Sequence, residues 1–264
     1  MPTITMAVCG FSSGPLPAHK MMWKLKSDSS VVMGHTRMTT QGSEKFNRNN
    51  HPFRGTVNGE SFALAHNEML YNDHSLRRQY NLPKTEIETD SYITVQLIEK
   101  SGDLSFPSLA DMAEDLDGSF TITVLDERDN LYFVKGSNPM CIYHWKDRGL
   151  YLYASTEEIL QSALKKIAVR LGRHEKIPID SGEILCIDRR GERQTCCFRM
   201  PPTFMPYVMT SWYREAMGDC SYIDELKSIS NHFGYTSDDV DELLESGVTP
   251  EEIEDWFYYC GEEV

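Results

Sequence analysis

Short runs of β-branched and aromatic residues, each bounded by turn-forming residues, dominate the first two-thirds of this 264-residue chain. Such runs predict β-strands, here at residues 31–34, 61–65, 120–125, 131–134, 150–154 and 184–188. Two of the runs flank the polar turn 127–130, and Arg189-Arg190-Gly191 reverses the chain after Ile187. Neighbouring strands are therefore expected to pair as hairpins, which favours antiparallel sheets over a parallel doubly wound one.

Helical periodicity alternates with these strands. Residues 90–100 carry apolar side chains on one side, and residues 108–116 space four apolar residues at i, i+3, i+4 and i+7. Residues 155–167 begin with the capping-box pattern Ser155-x-x-Glu158. The apolar residues that follow are expected to face inward, namely Ile159, Leu160, Ala163, Leu164 and Ile167. Hairpins mixed with helices indicate an α+β fold.

The bulk composition excludes several classes of function. Apolar residues make up 40% and charged residues 25%, which is ordinary for a soluble globular chain. A net charge of -14 argues against nucleic acid as a partner, because phosphate contacts need clustered cations. No apolar stretch predicts a membrane span or a signal peptide, so no membrane partner is expected. The seven cysteines form no CxxC pair and no zinc-type spacing, which indicates reduced thiols in the cytoplasm and no metal site.

The chain changes character after residue 199. Residues 200–221 are rich in Pro, Met and aromatic residues, which is typical of an arm docked on a main body rather than of a free linker. Residues 222–264 are acidic and contain three short helix candidates, at 222–233, 237–245 and 250–259, the last capped by Thr249 with Pro250 in its first turn. This acidic three-helix tail could be an interaction module for a basic partner or a packed extension of the main domain.

Four stretches of the chain together offer the groups that bind and cleave a free amino acid with a side-chain amide. They are Cys9-Gly10-Phe11, GHTRMTTQG at 34–42 with NHPF at 50–53, AHNEMLYN at 65–72 and ETDSYI at 88–93. A guanidinium suits the α-carboxylate, a carboxylate suits the α-ammonium, and a thiolate attacks the amide carbon while an amide N–H stabilises the oxyanion. The set, with Cys9, Arg37, Asn67 and Asp90, fits glutamine.

In their order these stretches resemble the motifs of the class II glutamine amidotransferase family, whose members use an N-terminal nucleophile. CGF is similar to the family's CGI-type start, GHTRMTTQG to its GHTRWAT-G loop, HNEMLYN to its HNG-x-x-x-N strand end, and TDSYI to its TD-S/T-E helix start. The resemblance continues through LDGSF, YASTEEIL and SGEILCI to about residue 188. Several linked motifs in one order are more specific than any single match.

The resemblance implies a four-layer αββα sandwich over residues 9–199, with a small C-terminal helical appendage and the nucleophile at the start of the first strand. It implies that glutamine is hydrolysed to glutamate and ammonia through a thioester, without a metal or another cofactor. The roles it implies are nucleophile for Cys9, carboxylate binding for Arg37 with Thr40, ammonium binding for Asp90, and an oxyanion hole from Asn67 and the backbone N–H of Glu68.

The position of Cys9 raises a question that the resemblance answers in part. In such enzymes the α-amino group of the nucleophile is the general base, and a free α-amine with a pKa of about 7.7–8.0 can accept a thiol proton near neutrality. A peptide nitrogen cannot do so. Residues 1–8 are therefore interpreted as a propeptide that is removed between Val8 and Cys9.

The chain departs from the family pattern at four positions, Met38, Gln41, Glu68 and Tyr92. Glu68 matters most, since glycine is usual there, and a residue with a Cβ is unfavourable at positive φ. The histidines at 35, 51 and 66 lack ligand spacing for a metal and are interpreted as hydrogen-bonded structural residues.

Three functions stay open from the sequence. The first is a stand-alone glutaminase that passes ammonia to a separate synthase. The second is the same fold acting as a hydrolase on another γ-glutamyl amide, and the third is an unprocessed, inactive glutamine-binding or scaffold protein. Taken one at a time, Arg37 could be an ion-pair partner, Asn67 a turn former and Asp90 a helix N-cap.

Overall fold

The computed structural model describes residues 3–8, 10–12, 30–37, 42–43, 46–200, 227, 230, 235–249 and 253, with backbone alone at 3–8, 10–12, 36 and 37. The chain forms two compact units, Met1–Phe204 and Met205–Val264, which are described separately below. No helix within the described residues is long and apolar enough to cross a membrane.

The first unit contains twelve described strands in three sheets, joined throughout by antiparallel pairs. The strands are β1 (Thr3–Val8), β2 (Gly10–Ser12), β3 (Met33–Arg37), β4 (Phe53–Val57), β5 (Glu60–Asn67), β6 (Thr121–Asp126), β7 (Leu131–Lys135), β8 (Cys141–Trp145), β9 (Leu150–Ala154), β10 (Glu175–Ile177), β11 (Glu183–Ile187) and β12 (Arg193–Cys197). A six-stranded sheet has the order β12-β11-β7-β6-β5-β4, and two three-stranded sheets have the orders β10-β8-β9 and β2-β1-β3. The mixed α/β composition with antiparallel sheets agrees with the sequence-based expectation.

The six-stranded sheet is buried on both faces. On one face, alternate strand residues such as Leu64, Ile122 and Val134 pack with helices in a helix-side core. The other face contributes to an inter-sheet core, which contains Ala63, Ala65, Leu125, Leu131, Phe133, Leu185 and Ile187 together with Ile142 of β8. Because side chains alternate along a strand, one sheet serves both cores. A third cluster, the outer core, joins the far face of β8 to a helix through Cys141, Tyr143, Trp145 and Leu160.

Four helices of the first unit have described bounds, α1 (Asp73–Gln79), α2 (Tyr92–Ser101), α3 (Phe106–Asp115) and α4 (Glu157–Lys166). Short 3-10 turns lie at Asn47–Asn49 and Lys146–Arg148. Helix α3 begins with a capping box between Ser105 and Ser108, and α2 ends at Gly102, which has φ 84°. Glycine reaches this left-handed conformation without the steric cost of a Cβ.

The predicted start of α4 is wrong by one residue. Thr156, not Ser155, is the N-cap, and its hydroxyl accepts a hydrogen bond from the backbone N–H of Ile159. Ser and Thr are both favoured N-cap residues, so the residue types alone do not show which of the two caps the helix. Two of the apolar residues expected to face inward are exposed, Ile159 at 55% and Ile167 at 46%.

The N-terminal sheet differs from the expectation that the first strand starts at Cys9. Strand β1 precedes position 9 and lies between β2 and β3. The run Thr-Ile-Thr-Met-Ala-Val contains several β-branched residues, which favour an extended chain. The strand propensity of the leader explains why β1 forms while these residues are attached.

The second unit contains one helix with described bounds, α5 (Ser237–Glu245). Thr236 and Asp239 form a capping box at its start, and Val240 packs against Ile253 in a small apolar cluster. The predicted helix at 237–245 is confirmed. The arm at 200–221 lies almost entirely outside the described residues, and the helices predicted at 222–233 and 250–259 lie mostly outside them.

Candidate active site

A cavity of about 590 Å³ lies between the six-stranded sheet and the β10-β8-β9 sheet. Strands β5, β6, β7 and β11 line one side, and β8 and β9 line the other. Residues 30–32, Gly34 and His35 complete the wall at and before β3. The cavity is the space in the described structure where residues from the motif stretches at 34–42 and 65–72 meet.

Asn67 lines this cavity at the last position of β5. It pairs in register with Thr121, the first residue of β6, which also lines the cavity. Neighbouring side chains point to opposite faces of a strand, so His66 contacts the side where α2 begins. Asn67 thus presents an amide group at one end of the cavity.

The backbone turns sharply directly after Asn67. Glu68 has φ 86°, one of four described non-glycine residues with positive φ. Its side chain is exposed. Met69 O accepts a hydrogen bond from the N–H of Ser119 at 3.1 Å, and Leu70 forms an isolated bridge with Gly118. The strained turn is therefore held by the chain segment that leads into β6.

Asp90 anchors the same turn from the other side. Its Oδ2 accepts a hydrogen bond from the backbone N–H of Leu70 at 2.7 Å, and its Oδ1 accepts one from Ser91 Oγ at 3.3 Å. The residue is only 4% exposed. Ser91, not Asp90, is the N-cap position of α2, so the alternative that Asp90 merely caps this helix is wrong.

His66 completes a buried polar cluster beneath the turn. Its Nδ1 is hydrogen-bonded to Ser91 Oγ at 2.8 Å, and its Nε2 lies 3.4 Å from the carbonyl oxygen of Ser119. Burial lowers the pKa of His66, and the charge of Asp90 and the carbonyl of Ser119 oppose this shift only in part. The imidazole is accordingly neutral near pH 7 and acts as a hydrogen-bonding support, as predicted for a structural histidine.

Strand β3 carries Arg37 toward the Asn67 end of the cavity. Ser30 Oγ donates to Asp129 Oδ2 at 2.8 Å, in the turn between β6 and β7. Further along β3, the ring of His35 lies 4.3 Å from the ring of His51. His51 comes just before β4, and the start of β4 pairs with the end of β5 that carries Asn67. Because Arg37 follows His35 by two residues, its backbone lies beyond this point.

Two predicted site residues, Cys9 and Thr40, lie outside the described residues, as does the side chain of Arg37. Strands β1 and β2 lie directly before and after position 9. The described structure brings Asn67, Glu68 and Asp90 together at the turn after β5. Asn67 faces the cavity, while Asp90 lies beneath the turn, and neither Glu68 nor Asp90 is a cavity-lining residue.

A second hydrogen-bond cluster, missed in the sequence, joins the stretch at 88–93 to residues that directly flank the stretches at 34–42 and 50–53. Asn49 Nδ2 donates to Glu88 Oε2 at 2.8 Å, and the N–H of Glu88 donates to Asn49 Oδ1 at 3.0 Å. The backbone N–H of Ser43 also donates to Glu88 Oε2 at 3.2 Å. Hydrogen bonds from Asn49 and then Ser43 lower the pKa of Glu88. The cluster ties the segment after Gly42 to the stretch that contains Asp90.

Among the described residues, no group of three or more His, Cys, Asp or Glu side chains could hold a metal ion. The contact between His35 and His51 is a tilted ring contact, and His51 continues it to Phe53 at 4.4 Å.

We expect Glu68→Gly to stabilise the fold by up to about 1 kcal/mol. A side chain in the left-handed region costs roughly 1–2 kcal/mol, while glycine loses about 0.5–1 kcal/mol more backbone entropy on folding. Urea unfolding of the two proteins measures the difference. The matched control is Glu68→Ala, which removes the same carboxylate but keeps the Cβ. Equal midpoints for the two variants would contradict an origin in backbone strain.

Comparison with known sequences identifies the family. The model of the family described as a glutamine amidotransferase domain matches residues 17–174, which is more than half of the chain. This match begins after Cys9, so the leader and the position of the predicted nucleophile lie outside it.

The curated relatives are named 7-cyano-7-deazaguanine synthases. A 7-cyano-7-deazaguanine synthase of Sulfolobus acidocaldarius is 22% identical over 170 residues, which cover 62% of this chain and 36% of the relative. The enzyme of that name from Saccharolobus solfataricus is 27% identical over 121 residues, covering 44% of this chain and 25% of the relative. The chain thus spans about a third or less of the length of these relatives.

Solved structures share the fold. The glutamine PRPP amidotransferase of B. subtilis superimposes with a TM-score of 0.54 at 22% identity, over 68% of this chain and 37% of that one. A structure described as the allosteric regulatory enzyme of purine biosynthesis gives a TM-score of 0.52 at 22% identity, over 64% and 35% of the two chains. The match to the family model over more than half of the sequence shows that the chain belongs to the glutamine amidotransferase domain family.

Proposed function

We propose that this protein is a glutamine amidohydrolase that uses Cys9 as its nucleophile and releases ammonia for an amidotransfer. The observation that carries the proposal is the turn after β5. Asn67 faces the cavity, the backbone N–H groups of the turn follow directly, and Asp90 and Ser119 hold the turn in place. Oxyanion stabilisation requires fixed N–H donors, and an anchored turn directly after a cavity-lining amide suits that role.

The reaction proceeds in two balanced steps. The Cys9 thiolate attacks the amide carbon of glutamine, and the negative oxygen of the tetrahedral intermediate accepts hydrogen bonds from the Asn67 side chain and the backbone N–H of Glu68. The C–N bond then breaks, and the amide nitrogen leaves as ammonia with the proton held by the α-amino group of Cys9. Water next attacks the thioester, glutamate is released, and the thiol is restored.

Arg37 and Thr40 bind the substrate α-carboxylate in this proposal, and Asp90 binds the α-ammonium. The course of β3 toward the Asn67 end supports the role of Arg37. Asp90 already accepts hydrogen bonds from Leu70 and Ser91, yet each carboxylate oxygen has two acceptor sites, so one site on each remains. Asp90 would then both shape the turn and hold the ligand.

Removal of residues 1–8 is part of the proposal. The peptide bond between Val8 and Cys9 connects β1 to β2, two strands that pair with each other. Hydrolysis there frees the α-amine of Cys9 to act as the general base. The leader strand β1 also pairs with β3, where Thr3 lies opposite Arg37, so its departure would reshape the carboxylate-binding end.

The finer architecture is proposed as a four-layer αββα sandwich. The helix-side core lies between α2–α3 and the six-stranded sheet, the inter-sheet core lies between the two sheets, and the outer core joins β8 and β9 to α4. The three cores thus separate four layers, namely α2–α3, the six-stranded sheet, the β10-β8-β9 sheet and α4, which supports this arrangement. The domain limits 9–199, 200–221 and 222–264 and a cytoplasmic location are proposed with it.

A separate synthase is proposed as the acceptor of the ammonia. The curated relatives are themselves named synthases. The acidic tail at 222–264 is a proposed docking element for that partner, with a packed extension as the alternative. The synthases' own substrates are not assigned to this chain.

Two measurements on purified protein test the proposal. Intact mass spectrometry is expected to find a chain that begins at Cys9, and a coupled assay is expected to detect equal amounts of glutamate and ammonia from glutamine. A full-length chain that binds glutamine without releasing ammonia would instead identify an inactive binding protein. A full-length chain that hydrolyses glutamine would refute the α-amine as the general base.

A further inference from the structure

The cavity is larger than free glutamine requires. Its volume of about 590 Å³ falls in the range of about 300–1,000 Å³ that holds drug-sized ligands, and glutamine is much smaller than those. The cavity also extends away from Asn67. It follows β6 and β7 from Thr121 to the opposite end of the sheet, where Leu131, Ile187 and Gly191 line it.

The length of this extension follows from the strand register. Thr121 pairs with Lys135 at one end and Leu125 pairs with Leu131 at the other. Four residue steps of roughly 3.4 Å separate the two ends, or about 14 Å along the strands. The part of the cavity beyond Asn67 and Thr121, lined by Thr123, Leu131, Phe133, Ile142, Tyr153 and Ile187, is called the inter-sheet chamber below.

The orientation of a bound substrate follows from the course of β3. Val31, Val32 and His35 line the cavity, while Arg37 lies beyond them at the end away from the chamber. With the amide carbonyl at Asn67 and the α-carboxylate near Arg37, the bond from the amide carbon to its nitrogen points into the chamber. A substituent on that nitrogen would therefore occupy the chamber.

The chamber walls suit an apolar ring. The rings of Phe133 and Tyr153 meet edge to face at 4.9 Å, and Ile142, which pairs with Tyr153 on the neighbouring strand, is fully buried. Leu131 and Ile187 contribute aliphatic side chains at the far end, where Asp188 and Arg189 also line the cavity. Aromatic rings favour offset or edge-to-face contacts of this kind, and burial among Phe133, Tyr153 and Ile142 favours an uncharged substituent.

We propose that the site accepts γ-glutamyl amides whose nitrogen carries an apolar, ring-sized substituent, with that substituent bound in the inter-sheet chamber. The proposal rests on the proposed function, because it uses the same nucleophile and oxyanion hole. The Cys9 thiolate attacks the γ-carbonyl carbon, the C–N bond breaks, and the amine leaves with the proton from the Cys9 α-amine. Water then hydrolyses the thioester to glutamate.

The test compares glutamine with γ-glutamyl anilide in the mature protein, by glutamate release in both cases. Wild type is expected to cleave both substrates. Thr123 is 6% exposed and lies between Ala65 and Phe133 in the sheet, at the middle of the chamber wall. Thr123→Leu adds volume there, whereas Thr123→Val keeps the side-chain shape and serves as the matched control.

Thr123→Leu is expected to lower the ratio of kcat/KM for the anilide to that for glutamine by about tenfold or more, since one methylene in an apolar pocket changes selectivity by about 10–200-fold. The ratio for Thr123→Val is expected to stay within about threefold of wild type. If Thr123→Leu does not fold, Ala65→Val replaces it as the variant that adds volume to the chamber wall. The same ratio of kcat/KM for the anilide to kcat/KM for glutamine is then measured.

The possible outcomes separate the two proposals. Cleavage of glutamine without cleavage of the anilide, or an unchanged ratio in the volume-adding variants, overturns the chamber assignment and leaves the glutaminase proposal standing. Cleavage of the anilide alone supports the chamber assignment and removes glutamine as the substrate. Failure to cleave either substrate by a chain that begins at Cys9 overturns both.

Discussion

Cys9→Ala is expected to abolish glutamate and ammonia release from glutamine, with a loss in kcat on the order of 10⁶-fold, as when the nucleophile of a covalent hydrolase is removed. The thiol is the atom that forms the thioester, and none of the groups proposed around it, Asn67, Arg37 or Asp90, can replace that bond. Binding of glutamine should persist, because Arg37 and Asp90 are unchanged. Calorimetric titration of the variant with glutamine would separate loss of chemistry from loss of binding.

The matched control for this experiment is Cys197→Ala, which removes an exposed thiol on β12. Its activity is expected to equal that of wild type. The pH dependence gives a second readout, since kcat/KM should rise as pH increases through the titration of the Cys9 α-amine, at about 7.7–8.0 in an unperturbed chain. Residual turnover by Cys9→Ala, or loss of activity in Cys197→Ala, would contradict the assignment of Cys9.

Local patterns were sufficient to predict the elements whose signals are short-range. The strand at 150–154 and the helix at 237–245 have the predicted bounds. In the helix, a Thr-x-x-Asp capping box and acidic first-turn residues determine the start. The other predicted strands start or end within one to three residues of the observed ones. Strand ends depend on the partner strand, which a local pattern does not contain.

Some missed elements did carry a readable signal. Strand β4 is joined to β5 by Asn58-Gly59, both with positive φ, and Asn-Gly between apolar runs is the strongest short hairpin signal. Strand β8 places Cys141, Tyr143 and Trp145 on one face and Ile142 on the other, so its residues are buried on both sides. A strand apolar on both faces lacks the alternation that identifies a half-buried strand.

The candidate site was predictable as chemistry but not as geometry. The residue types at Asn67 and Asp90 suggested substrate contacts, and the positive φ expected at Glu68 from the usual glycine is confirmed. The contact of Asp90 with the N–H of Leu70, and the pairing of Asn49 with Glu88, join residues 20 and 39 positions apart. Such contacts depend on how the helices pack against the sheet, which no local pattern specifies.

The glycine of the LDGSF stretch, Gly118, also depends on a long-range contact. Gly118 has φ 138°, and a Cβ at this position would lie 2.3 Å from the carbonyl oxygen of Met69 and 2.9 Å from Leu70 Cα. Both neighbours are backbone atoms of the turn that follows Asn67. An alanine there would have to displace this turn, because no flexible side chain can move aside.

Gly118→Ala is therefore expected to destabilise the fold by about 2–5 kcal/mol, from the left-handed backbone conformation together with the overpacking. It is also expected to lower kcat about 100-fold, since a displacement near 1 Å of an oxyanion donor is sufficient for such a loss. Urea unfolding and the glutaminase assay at a temperature where the variant remains folded would measure the two effects separately.

Gly102→Ala is the matched control, because Gly102 also has positive φ, 84°, but a Cβ there meets no atom within 4 Å. It lies at the C-terminal end of α2, away from the turn. This variant should lose about 1 kcal/mol from backbone strain alone, with kcat unchanged. If the two variants lost equal stability and both kept wild-type kcat, the turn after Asn67 would not be held by its close approach to Gly118, and its role as the oxyanion-binding element would lose its structural basis.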